Sequence, residues 1–119
     1  MARIVLAEDD QTMVHLLSTL LSMDGYEVTT VGADSDVADT VERLEPDALV
    51  LDMVFAEQNG LELVDRIRRS SRGDRLYILM MSGLSVREEC LLHGADDFLL
   101  KPFMPDEMMD KLRAHLTPP

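Results

Sequence analysis

Short apolar runs of strand-forming residues alternate with amphipathic stretches of helical period five times along this chain, and that alternation limits the fold more than any other feature. The periods predict strand 3–7, helix 11–23, strand 26–31, helix 35–44, strand 48–52, helix 60–70, strand 76–81, helix 85–92, strand 97–100 and helix 105–116. Runs such as Ile4-Val5-Leu6-Ala7 and Ala48-Leu49-Val50-Leu51 have no polar face, so they suit strands of a parallel sheet covered by helices on both sides. Right-handed crossovers leave few topologies. An α/β, doubly wound five-stranded parallel sheet in the order 2-1-3-4-5 sets the carboxyl ends of the first and third strands side by side at the switch point, where such folds bind ligands.

Local punctuation supports the helices. Met13, Leu16, Leu17, Leu20 and Leu21 follow the i, i+3, i+4, i+7, i+8 stripe of a core-facing helix, with Asp10 placed to cap its start and Gly25 to close its end. Ser85 and Glu88 have capping-box spacing, Gly94 falls where a left-handed terminating residue is wanted, and Pro105 suits a first helical turn. Met108, Met109, Leu112 and Leu116 share one face of the last helix. Most of the nine methionines therefore read as core filler, with Met53 and Met104, near loops, as adaptable contact surface. Cys90 shares an apolar face with Val86 and Leu91 and reads as a small core residue. A single cysteine also excludes an internal disulfide and a zinc site built from several thiolates. The three histidines form no metal pattern, and His15 reads as a surface helix residue.

A chain of 119 residues is expected to form one domain with one core, its outputs acting through a partner. Its formal charge of −12 argues against direct contact with nucleic acid or an anionic membrane surface. Arg66, Arg68, Arg69, Arg72 and Arg75 form a local basic run that reads as a solvated helix end complementing the dipole. Strand-like residues start directly after Met1-Ala2-Arg3, and no apolar stretch has bilayer-spanning length, so the expected location is cytoplasmic.

Four segments then point at one edge of the sheet: Glu8-Asp9-Asp10 after the first strand, Asp52 closing the third, Ser82 after the fourth and Lys101 after the fifth. An ionised acid at the rim of a core is costly without a cation, and two kinds are on offer: Lys101 of Lys101-Pro102-Phe103, or a metal gathered by Glu8, Asp9 and Asp52. This arrangement suggests an aspartate that accepts a phosphoryl group. In general a carboxylate, with an unperturbed pKa near ~3.9, is ionised at neutral pH and, unlike a serine, needs no general base to become a nucleophile.

The carrying segments are Ile4-Val5-Leu6-Ala7-Glu8-Asp9-Asp10, Leu49-Val50-Leu51-Asp52 followed by Asn59-Gly60, Met80-Met81-Ser82-Gly83, and Gly94-Ala95-Asp96-Asp97-Phe98-Leu99-Leu100-Lys101-Pro102-Phe103. In this order and spacing the chain resembles the receiver domain of two-component response regulators over essentially its whole length, 1–119, a flavodoxin-like (βα)5 fold. The resemblance implies that Asp52 takes a phosphoryl group from a phosphohistidine on a sensor kinase or a histidine phosphotransfer protein. It implies Mg²⁺ held by Glu8 or Asp9, Asp52 and the backbone carbonyl at the position of Val54, a preference for oxygen ligands that suits this ion. Lys101 would pair with one phosphoryl oxygen and Ser82 would hydrogen-bond another. In the family Ser82 moves and an aromatic residue, here Phe98, turns inward. The fourth helix, fifth strand and fifth helix then meet a downstream protein, a second copy of the chain included.

Three positions depart from the family pattern. Phe98 stands where Tyr is common, which removes the hydroxyl of any polar relay and leaves a packing switch. Ala56 stands where Pro is usual, so the loop from Met53 to Gln58 loses a φ constraint and is expected to be freer. Val54 and Leu84, two residues after Asp52 and Ser82, are both apolar, which leads us to expect slow self-dephosphorylation. Rival classes fit less well. A haloacid-dehalogenase-like phosphatase needs a second aspartate where Val54 stands, and a flavin-binding module needs a glycine- and hydroxyl-rich loop where this chain has three acids. A degenerate receiver acting as a fixed interaction module is disfavoured because Glu8, Asp9, Asp52, Ser82 and Lys101 are all present.

Overall fold

A computed structural model describes residues 2–70 and 75–116. The elements run β1 (Arg3–Ala7), α1 (Gln11–Met23), β2 (Glu27–Thr30), α2 (Val37–Leu44), β3 (Ala48–Asp52), β4 (Val54–Phe55), β5 (Gln58–Asn59), α3 (Gly60–Arg68), β6 (Tyr77–Ser82), α4 (Arg87–His93), β7 (Asp97–Leu100) and α5 (Pro105–His115). The main sheet is parallel in the order β2-β1-β3-β6-β7. Counting only its five strands, this is the expected 2-1-3-4-5. The addition is a small antiparallel hairpin, β4–β5, pairing Val54 with Asn59 and Phe55 with Gln58.

The continuous apolar runs are explained by two cores, one on each sheet face. Along β1 and β3, Val5, Ala7, Leu49 and Leu51 face the cluster under α2, α3 and α4, whereas Ile4, Leu6, Ala48 and Val50 face the one under α1 and α5. With both faces covered, a period-2 strand has no position left for a polar residue. Cys90 is buried in the first cluster, and burial pushes its thiol pKa up, as suits a core residue.

The caps agree in part. Asp10 Oδ1 accepts from the Thr12 and Met13 amides at 3.0 and 3.3 Å, Gly25 has φ +94° and Gly94 has φ +117°. Ser85 does not cap α4. The chain turns tightly first, with the Leu84 amide donating to Ser82 Oγ at 3.0 Å and the Val86 amide to the Leu84 carbonyl at 2.9 Å. The helix thus starts two residues late, after Val86, with no side-chain cap. Leu16 is 46% exposed rather than core, so the buried stripe of α1 is the narrower Leu17–Leu21 line.

Arg68 also departs from its expected place on a solvated face. Its Nε donates to the Gly94 carbonyl at 2.9 Å, one terminal nitrogen to the Leu76 carbonyl at 2.7 Å and the other to Asp96 Oδ2 at 2.8 Å. Asp96 Oδ2 also accepts from the Ile78 amide at 2.8 Å, so the end of α3 is tied to the entries of β6 and β7. Arg66 pairs with Asp36, and Arg72 lies outside the described residues.

Candidate functional site

The carboxyl ends of β1 and β3 are neighbours in the sheet, with Ala7 beside Leu51, so Glu8, Asp9 and Asp52 emerge at one edge. Ligand atoms of these three side chains lie within 4.8 Å of one another. Ser82 ends β6 and Lys101 follows β7 on the same edge, the Lys101 amide donating to the Ser82 carbonyl at 2.8 Å. The Lys101–Pro102 peptide is cis.

Lys101 binds both acids. Its Nζ donates to Glu8 Oε1 at 2.5 Å and to Asp52 Oδ2 at 2.6 Å, with the Glu8 side chain 1% exposed and Lys101 24% exposed. The remaining oxygens are held by backbone donors. Glu8 Oε2 accepts from the Asp9 amide at 3.0 Å, and Asp52 Oδ1 from the Val54 amide at 3.2 Å. Asp9 stands apart from the lysine: its Oδ2 accepts from the Ala56 amide at 3.1 Å, across from the β4–β5 hairpin.

Charge balance follows from these contacts. Burial lowers the Lys101 ammonium, but the Asp52 and Glu8 carboxylates outweigh it, and its pKa stands above the ordinary value. Burial raises Glu8, Lys101 opposes that, and the nearby Asp52 carboxylate adds to the rise, so its pKa stands above the usual carboxylate range. Two carboxylates share one ammonium and a third is beside them, which leaves the cluster short of positive charge. An all-oxygen donor set of this kind suits a hard divalent cation such as Mg²⁺.

The other expected residues sit around this centre. Ser82 is buried, its Oγ occupied by the Leu84 amide. Phe98 is buried against the α2–α3–α4 core and lines an open groove of about 750 Å³ with Leu100, Val86, Arg87, Glu89 and Leu92. Val54 and Leu84 are 64% and 68% exposed at the rim. The β4–β5 hairpin and its contact with Asp9 have no counterpart among the expected elements. Its turn residues, Ala56 and Glu57, carry no glycine or asparagine signal, although both have positive φ, +49° and +68°.

The sequence model of the response regulator receiver domain matches residues 4–113. The chain belongs to that family. It is a receiver domain of two-component response regulators, a phosphoacceptor signalling domain. It is 38% identical over 117 residues to response regulator MprA of Mycobacterium leprae, a match covering 96% of this chain and 50% of that protein. The receiver thus spans about half the length of the curated relatives it matches. Among solved structures it resembles chemotaxis response regulator CheY4 of Vibrio cholerae, with TM-score 0.89, 25% identity and coverage of 98% and 99% of the two chains. It also resembles the receiver domain of sensor histidine kinase PA1611 of Pseudomonas aeruginosa PAO1, described with a magnesium ion in its active-site cleft. That match has TM-score 0.82 and 29% identity and covers 96% of each chain. No helix among the described residues is long and apolar enough to cross a membrane.

Proposed function

We propose that residues 1–119 act as one phosphoacceptor module in which Asp52 takes a phosphoryl group from a phosphohistidine of a sensor kinase or histidine phosphotransfer protein. The observation that carries this is the meeting of Asp52 with Glu8, Asp9 and Lys101 at the switch-point edge. Mg²⁺, held by Glu8, Asp9, Asp52 and the Val54 backbone carbonyl, would offset charge on the phosphoryl oxygens. The carboxylate of Asp52 attacks phosphorus through one of its oxygens, and the histidine nitrogen departs with its electron pair. Lys101 exchanges a carboxylate for a phosphoryl oxygen, and Ser82 releases the Leu84 amide to donate its hydroxyl to another. These are the residues by which the receiver assists its own phosphorylation and dephosphorylation.

Ser82 and Phe98 act as the switch, and a partner protein or a second copy reads the face of α4, β7 and α5. Asp97 spans that face, accepting from Arg87 of α4 at 3.0 Å and from Lys111 of α5 at 2.8 Å. A net charge of −12 disfavours contact of this module itself with nucleic acid or an anionic membrane. Such a module works in the cytoplasm, where kinases of this type present their phosphohistidine.

The test is intact mass after incubation with Mg²⁺ and a small phosphodonor. The wild type should gain one phosphoryl group, and Asp52→Ala or chelation of the metal should abolish the gain. An unmodified wild type, or equal modification of Asp52→Ala, would refute the assignment. A second expectation concerns lifetime. Val54 and Leu84 place apolar side chains at the rim where hydrolytic water must approach, so the phosphorylated form should persist for minutes at neutral pH. Decay within seconds without any phosphatase would overturn that.

A further inference from the structure

Of the three acids in the cluster, Asp9 is the exposed one and the one Lys101 does not touch. Left to solvent, its carboxylate would sample several rotamers, yet the structure gives it one hydrogen bond, from the Ala56 amide at 3.1 Å. That amide is presented by a two-residue turn whose central residues, Ala56 and Glu57, have φ of +49° and +68°. L-residues adopt this region against a steric penalty, and two in succession without glycine need a compensating contact. Two are visible. Phe55, just before the turn, is fully buried in the core, and the Ala56 amide is bonded to Asp9.

We infer that the Ala56 N–H is a positioning group for the metal centre, holding Asp9 through Oδ2 so that its other oxygen is presented to the cation beside Glu8 and Asp52. This rests on the Mg²⁺ reading of the cluster. A carboxylate has lone pairs enough to accept from an amide and to ligate a metal together. Outer partners of this kind commonly change metal affinity by about 10- to 100-fold. The device needs a residue that has an amide hydrogen and tolerates positive φ. Proline offers neither, having no N–H and a φ fixed near about −65°. By reciprocity, a cation that fixes Asp9 also fixes the hairpin.

Calorimetric titration with Mg²⁺ alone, on the whole chain, tests this together with amide hydrogen exchange. Ala56→Pro should bind Mg²⁺ about tenfold or more weakly. Ala56→Gly, which keeps the N–H and suits the turn, should bind as the wild type does. In the wild type Mg²⁺ should slow exchange of the Ala56 amide, a readout that stands even if Ala56→Pro fails to fold. Wild-type affinity in a folded Ala56→Pro, or an Ala56 amide indifferent to Mg²⁺, would overturn the inference alone. A wild type that binds no Mg²⁺ would overturn the metal reading and this inference with it.

Discussion

Lys101→Ala is expected to cost about 3 kcal/mol of unfolding free energy at neutral pH, the scale found when one partner of a largely buried ion pair is removed. The reason is the Glu8 side chain, 1% exposed and facing Asp52, with the Lys101 ammonium as its cation. Without Lys101, Glu8 has a still higher folded pKa than the already raised one. An acid whose folded pKa exceeds its unfolded value binds more protons when folded, so stability rises as the pH falls through that interval. The loss should therefore be larger at pH 8 than at pH 5. Lys101 runs the other way in the wild type. Its pKa is raised above 10.5, so its contribution is present at neutral pH and disappears as the pH climbs past its folded value. Urea unfolding at the two pH values, with and without Mg²⁺, checks this. A divalent ion should recover part of the loss, because it supplies charge to the same oxygens. Lys101→Met, which keeps the apolar stem, should behave like Lys101→Ala. A loss independent of pH, or one that Lys101→Met avoids, would assign the effect to packing.

How much of this was legible beforehand depended on the range over which each residue's role is decided. Strand order followed from local alternation and two general rules, because continuous apolar runs such as Ala48-Leu49-Val50-Leu51 demand cover on both faces, and handedness does the rest. The site followed from the order: once β1 and β3 are neighbours, Glu8, Asp9 and Asp52 must meet. Details set by tertiary contact were not readable. Ser85 has the spacing of a cap, but the tight turn that follows Ser82 delays α4 to Arg87, which leaves Val86 at the cap position. Arg68 lies in a basic run that resembles a dipole-complementing surface, and only the arrival of β6 and β7 brings the Gly94 and Leu76 carbonyls and the Asp96 carboxylate to its guanidinium. The β4–β5 hairpin is the plainest case. Ala56-Glu57 has no intrinsic preference for positive φ, and the buried Phe55 and the Asp9 carboxylate that hold the turn come from elsewhere in the fold.

Gly60→Ala should destabilise the protein by about 2 kcal/mol, although Gly60 opens α3 and local rules predict the opposite sign. Alanine is favoured over glycine in helices by up to about 1 kcal/mol, and it also reduces the entropy of the unfolded chain. The structure decides otherwise through space. A Cβ on Gly60 would lie 2.6 Å from the Met53 carbonyl oxygen, 2.8 Å from Met53 Cα and 2.9 Å from Met80 Cε. Met80 Cε ends a flexible side chain and can swing aside. Met53 cannot do so freely, because its amide donates to the Met81 carbonyl at 2.8 Å and its carbonyl accepts from the Gly60 amide at 2.6 Å. Relief must come from the start of α3 or from the hairpin between them, the same hairpin that presents Ala56 to Asp9. Gly60→Ala should therefore lower both stability and Mg²⁺ affinity, whereas Gly83→Ala, with nothing within 4 Å of the added carbon, should leave both close to wild type. Denaturant unfolding and Mg²⁺ titration of the two variants separate the cases. A Gly60→Ala protein as stable as the wild type would mean that the Met53 segment yields at little cost, and that it does not hold the hairpin in place.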